Sequence, residues 1–112
     1  MVGYNDYMPR IRHTVIFTWY ETTTDEQKLE VIKRLNDMGQ WLIDNVGVTD
    51  WVVAEHIPET YKNRRAHLLQ DSIFPNIESL SAHADSEAHK RVVELTPQIS
   101  DWMTVDTVVV EK

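Results

Sequence analysis

The chain has 112 residues, 42% of them apolar and 26% charged, which describes one globular domain with a single core and no room for a second. Eleven Lys plus Arg against 18 Asp plus Glu leave a net charge of −7, the wrong sign for holding nucleic acid through its phosphates. The absence of Cys excludes a disulfide framework, a thiolate nucleophile and Cys-ligated zinc, so the titratable chemistry falls to His, Asp, Glu and Tyr.

Residues 1–10 have neither the apolar stretch of a signal peptide nor a periodic pattern, and are expected to form an N-terminal extension to a domain spanning 11–112. No apolar run approaches the roughly 20 residues of a membrane span, so a cytoplasmic protein with no membrane partner is expected. From Ile11 the chain alternates: Ile11, His13, Val15, Phe17 and Trp19 share one face of a strand, and Arg12, Thr14, Ile16 and Thr18 the other. Thr24 and Gln27 then form a capping box, with Asp25 and Glu26 on the positive end of the dipole of the helix that follows. Leu29, Ile32, Leu35, Met38, Gly39, Leu42, Ile43 and Val46 recur at helical steps along its core stripe, and Gly47 is its stop. Within it, Glu30 and Arg34 read as a surface pair.

Residues 48–57 are rich in β-branched and aromatic side chains and predict a second strand closed by Pro58. A polar turn over 59–64 leads to a third strand over 66–74, in which Arg65, His67, Leu69, Asp71 and Ile73 alternate with Ala66, Leu68, Gln70, Ser72 and Phe74. Pro75 opens a second helical region that breaks at Asp85 and Ser86 and ends near Leu95, before Pro97. Residues 103–110 are the last predicted strand. The order predicts an α+β, ferredoxin-like βαββαβ domain with one antiparallel four-stranded sheet and both helical regions on one face. The other face, expected to carry Thr14, Ile16, Val52, Ala54, Leu68, Val108 and Val110, is too apolar for water, so a homodimer packed through its sheets is expected.

His13 sits on the apolar face of the first strand, and His67 is expected beside it on the third, the two strands being neighbours at the sheet centre. His83 and His89 lie in the helical region that covers the same face. Four imidazoles titrating near neutrality would thus line one cavity suited to proton transfer, whereas a lone His among apolar residues is more often a core residue. His56 reads as a solvated edge residue. Trp19, Trp41, Trp51 and Trp102 read chiefly as core or dimer-face bulk. No His-x-x-x-His spacing, Gly-rich phosphate loop or Gly-x-Ser-x-Gly elbow is present, so no metal and no nucleotide or other cofactor is expected.

The segment Ile11-Arg12-His13-Thr14-Val15-Ile16-Phe17, the helix start at Thr24-Asp25-Glu26-Gln27, the Ala66-His67 strand and Ser86-Glu87-Ala88-His89 together resemble the stress-responsive A/B barrel domains, over residues 11–110. That resemblance implies a dimer closing into an α/β barrel, and in part of the family a cofactor-free polyketide cyclase. It implies His89 as general base, His13 and His67 as pocket-lining residues, and His83 at the place of the usual Tyr; the usual His-Pro pair falls on Ser86-Glu87. The barrel is also similar to the cofactor-independent monooxygenases of antibiotic biosynthesis, with which Trp41, Trp51 and residues 83–89 are compatible. The resulting expectation is a small enzyme with His89 and His83 as catalytic residues and His13, His67, Phe17 and Trp41 as substrate contacts. Its substrate would be a small oxygenated apolar or aromatic molecule, with a phenol or quinol monooxygenase or a non-catalytic ligand-binding stress protein as alternatives.

Overall fold

The computed structural model describes residues 8–60 and 65–110. Most of the expected N-terminal extension, and the end of the polar turn, lie outside the described residues. β1 (Ile11–Trp19) alternates as its sequence dictates, with Ile11 and Phe17 buried against the helices. In α1 (Asp25–Val46) the capping box closes as predicted: the Gln27 amide donates to Thr24 Oγ1 at 3.2 Å and the Thr24 amide donates to Gln27 Oε1 at 2.9 Å. Gly47 ends the helix at φ 86°, a left-handed conformation that a side chain would strain.

The buried stripe of α1 is Val31, Leu35, Met38, Gly39 and Leu42. Leu29 and Ile43, expected on that stripe, are exposed instead, because a helix that faces one sheet buries a narrower arc than the apolar pattern offers. The Glu30 and Arg34 pair forms at 3.0 Å, and Arg34 Nη1 also donates to the Arg91 carbonyl at 2.9 Å, tying α1 to the helix beside it.

β2 (Thr49–Glu55) carries a bulge near its start, with Asp50 at φ 54°, and lays Trp51 over α1 at Gly39, where an added Cβ would overlap the indole. A 3₁₀ turn (Pro58–Thr60) follows, then β3 (Leu68–Phe74). The second helical region divides into α2 (Ile77–His83), capped by Asn76, and α3 (Glu87–Ile99), capped by Ser86. α3 does not stop before Pro97. It runs on to Ile99 because Thr96 and Ile99 are buried in the core, and it passes directly into β4 (Ser100–Val108), which therefore begins three residues earlier than its apolar pattern suggests.

The strands form one antiparallel sheet in the order β2-β3-β1-β4, the ferredoxin-like arrangement. Leu35, Leu42, Phe17, Leu68, Phe74, Val92 and Ile99 fill the space between sheet and helices. Fully burying side chains of this size stabilises by roughly 1.5–3 kcal/mol each. The open face carries Ile16, Val52, Leu69, Met103 and Val105 around a polar centre, where Asp71 accepts from Arg12 at 2.5 Å and from Thr14 at 2.7 Å. Leu68 and Val108 were expected on this face. They point to the helices instead, since their partners Phe17 and Ile11 do, and one residue of register exchanges the faces.

Candidate active site

Pairing across the sheet sets the floor of a cavity. The row Ser72, His13, Asp106 is followed by the row Val53, Gln70, Val15, Thr104, and then by Glu55, Leu68, Phe17, Trp102. Above them α1 contributes Leu35 and Met38, α2 His83, and α3 His89, Val92, Val93 and Thr96. The cavity measures about 240 Å³. That is below the roughly 300–1,000 Å³ common for drug-sized ligands, a volume on the scale of a single ring or a short chain.

Three of the four expected imidazoles converge here. His13 and His83 meet edge to face with ring centroids 5.5 Å apart, and His83 and His89 do so at 4.8 Å. His13 donates from Nδ1 to Asp106 Oδ1 at 2.5 Å, so that in the neutral ring it is Nε2 that carries the lone pair. His83 donates from Nδ1 to the Leu80 carbonyl, so its neutral ring presents an acceptor at Nε2. The neutral His83 ring therefore has no N–H left over to donate to a ligand. Burial is the main influence on both helical imidazoles and pushes each below the ordinary value of about 6.5. For His83 the Leu80 bond opposes that shift; for His89 the Ala84 carbonyl does, although nothing among the described residues lies at hydrogen-bonding geometry to its buried Nδ1. At neutral pH both rings are uncharged and hold a usable lone pair.

His67 lies elsewhere. The helix-facing residues of β3 are Leu68, Gln70, Ser72 and Phe74, the set that excludes charged Asp71, and His67 stands at the far end of β1. There its Nδ1 accepts from the Trp19 amide at 2.7 Å, in a polar cleft shared with Lys28, Asp25, Glu55 and His56. Trp41 is an exposed residue of α1 and does not line the cavity, whereas Phe17 does. Sequence reasoning missed two residues. Asp106 comes to His13 only through the pairing of β1 with β4, 93 positions apart, and Gln70 sits in the cavity wall although no motif marks it.

No protein-family model matches the chain, and no curated protein does. Solved structures do resemble it. A dimeric ferredoxin-like protein of unknown function from Thermobifida fusca is 16% identical with a TM-score of 0.77, over 92% of this chain and 93% of that one. The hydroxynitrile lyase of Passiflora edulis is 13% identical with a TM-score of 0.75, over 93% of this chain and 96% of its own. A DABB-family protein from Mesorhizobium loti is 19% identical with a TM-score of 0.62, over 92% of this chain and 99% of its own. The fold is ferredoxin-like. Among the described residues no helix is long and apolar enough to cross a membrane, and no cluster of His, Asp or Glu is arranged to hold a metal ion.

Proposed function

We propose that this chain is a small enzyme of the A/B barrel kind that binds a compact aromatic or polyketone substrate between sheet and helices and moves a proton α to its carbonyl. The observation that carries this reading is the set of three imidazoles in an otherwise mainly apolar cavity, one of them backed by Asp106. His89, neutral through burial, takes the proton on its lone pair while the C–H electron pair passes into an enolate. The charge of His13 opposes the imidazolium that results, which favours return of the proton to the product. In a cyclase the enolate carbon attacks a second carbonyl of the same molecule, and the new alkoxide takes the proton back. That one of the similar structures is a hydroxynitrile lyase supports reading the chain as an enzyme.

The same reading includes a homodimer. Met103 is 63% exposed and Val52 and Val105 are each more than 40% exposed on the helix-free face, and several similar structures are described as dimeric. The Asp71 cluster at the centre of this face would fix how two sheets are oriented on each other.

Phenylacetone in D2O, followed by NMR, tests the chemistry directly. Deuterium should enter its α-carbon faster than in buffer, and the acceleration should vanish in His89→Ala. Absence of exchange for such ketones, with oxygen uptake on a phenol, would replace the reading with the monooxygenase.

A further inference from the structure

Gln70 is 1% exposed, lines the cavity, and its Nε2 has no hydrogen-bond partner among the described residues. Buried amides are almost always paired, so an unpaired one in a cavity wall marks a place where a ligand completes the bonding. Ser72 Oγ and Trp51 Nε1 are also buried and unpaired, but neither residue lines this cavity. An apolar side chain of the same length would fill the position with no donor to orphan.

We infer that Gln70 is the carbonyl-binding residue of the site and selects neutral ketones, donating from its carboxamide to the oxygen on which negative charge develops. The inference rests on reading the cavity as a substrate site and goes beyond it in naming the donor and the ligand class. His13 and His83 spend their N–H groups on Asp106 and Leu80, so neither neutral ring donates to substrate. Gln70 lies diagonally from His13 across the pairing of β1 with β3, in the row of Val15. Such diagonal neighbours stand roughly 7–8 Å apart, enough to seat a carbonyl oxygen at the amide and its α-carbon among the imidazoles. Among the described residues no Lys or Arg lines the cavity. A carboxylate there would lose its water without gaining a counter-charge, whereas a ketone oxygen needs only the neutral donor.

Three probes of similar size decide the matter: acetophenone, ethylbenzene and benzoate, titrated into the full-length protein at pH 7 with Trp fluorescence as the signal. Trp102 in the cavity wall supplies that signal. Acetophenone should bind about tenfold tighter than ethylbenzene, a factor of the size one hydrogen bond to a buried donor gives, and benzoate no better than ethylbenzene. In Gln70→Met the ketone preference should disappear while ethylbenzene binds as before. If that variant does not fold, the side-chain amide resonance of Gln70 in the wild type should shift with acetophenone and not with ethylbenzene. An undiminished preference in Gln70→Met, an unmoved resonance, tighter binding of benzoate, or no binding of acetophenone overturns the inference. Failure here is separable from failure of the proposed chemistry. Deuterium exchange without ketone preference removes only the role of Gln70, and ketone preference without exchange removes only the proton transfer.

Discussion

The two histidine clusters of this molecule lie at opposite ends of β1 and differ in what their rings are committed to. At the far end, the Nδ1 lone pair of His67 is taken by the Trp19 amide, and charged Lys28, Asp25 and Glu55 surround it in an open cleft. Near the start of β1, His13, His83 and His89 stand in a mainly apolar cavity, and the bonds they make are to Asp106 and to a backbone carbonyl, leaving lone pairs over the cavity when the rings are neutral. A residue type that can do chemistry does so only where burial, an orienting partner and an uncommitted valence coincide. His67 is a structural tie between β1 and β3. The cavity cluster is the one on which the proposed proton transfer rests.

The largest effect that tests this contrast is on rate. His89→Ala should lower α-proton exchange by roughly 10²- to 10⁴-fold, the usual contribution of a positioned general base. Its stability should change little, because the lost ring carries a buried nitrogen with no hydrogen-bond partner among the described residues and leaves a cavity that water can enter. His67→Ala should do the reverse. Exchange per folded molecule stays at the wild-type value, while the orphaned Trp19 amide costs about 1–2 kcal/mol, seen as a Tm lower by about 5 °C. Equal rate losses in the two variants would erase the distinction between the clusters.

The open sheet face offers a second contrast, with the helix-covered face of the same strands. Met103→Lys with Val105→Lys should weaken self-association by at least about a hundredfold in sedimentation equilibrium, the desolvation of two charges opposing the packing of the sheets. The wild type should run at twice the 13.1 kDa of the chain. A wild-type monomer at micromolar concentration would break the dimer reading and leave the cavity untouched.

Much of the fold was legible because local rules govern it. The alternation of β1, the reciprocal bonds of Thr24 with Gln27 and the stop at Gly47 each follow from a few adjacent residues. The site was half legible. His13, His83 and His89 could be brought together from topology alone, but His67 was placed with them by taking Leu69 and Ile73 as the buried face of β3, when Asp71 in that set already argued for the other face. The end of α3 was misread because Pro97 was given its usual weight as a stop, and the burial of Thr96 and Ile99 outweighed it. Asp106 depends on a long-range register, and Gln70 on the absence of a partner among the described residues, and neither leaves a trace in spacing.

The smallest effects are those of pH, and they separate the clusters by sign and position. His83, His89 and His67 are all held below about 6.5, chiefly because burial disfavours the charged ring. As pH falls below 6.5 the unfolded chain takes up protons that the folded rings refuse, so stability falls through that window and levels off once the folded rings protonate as well. Around His83 the charges of His13, His89 and Asp106 act together, the first two opposing protonation and the last favouring it, and around His67 those of Lys28 and His56 oppose it. Denaturant unfolding between pH 7.5 and 5 should therefore show stability dropping below 6.5 in the wild type. Both His67→Ala and His89→Ala should flatten the curve in part, each by removing one ring. The exchange rate distinguishes them, because its acid limb should lie below 6.5 in the wild type and stay where it is in His67→Ala. An acid limb above 6.5, or one that moves when His67 is removed, would mean that the base is not the buried His89 and that the two clusters titrate as one.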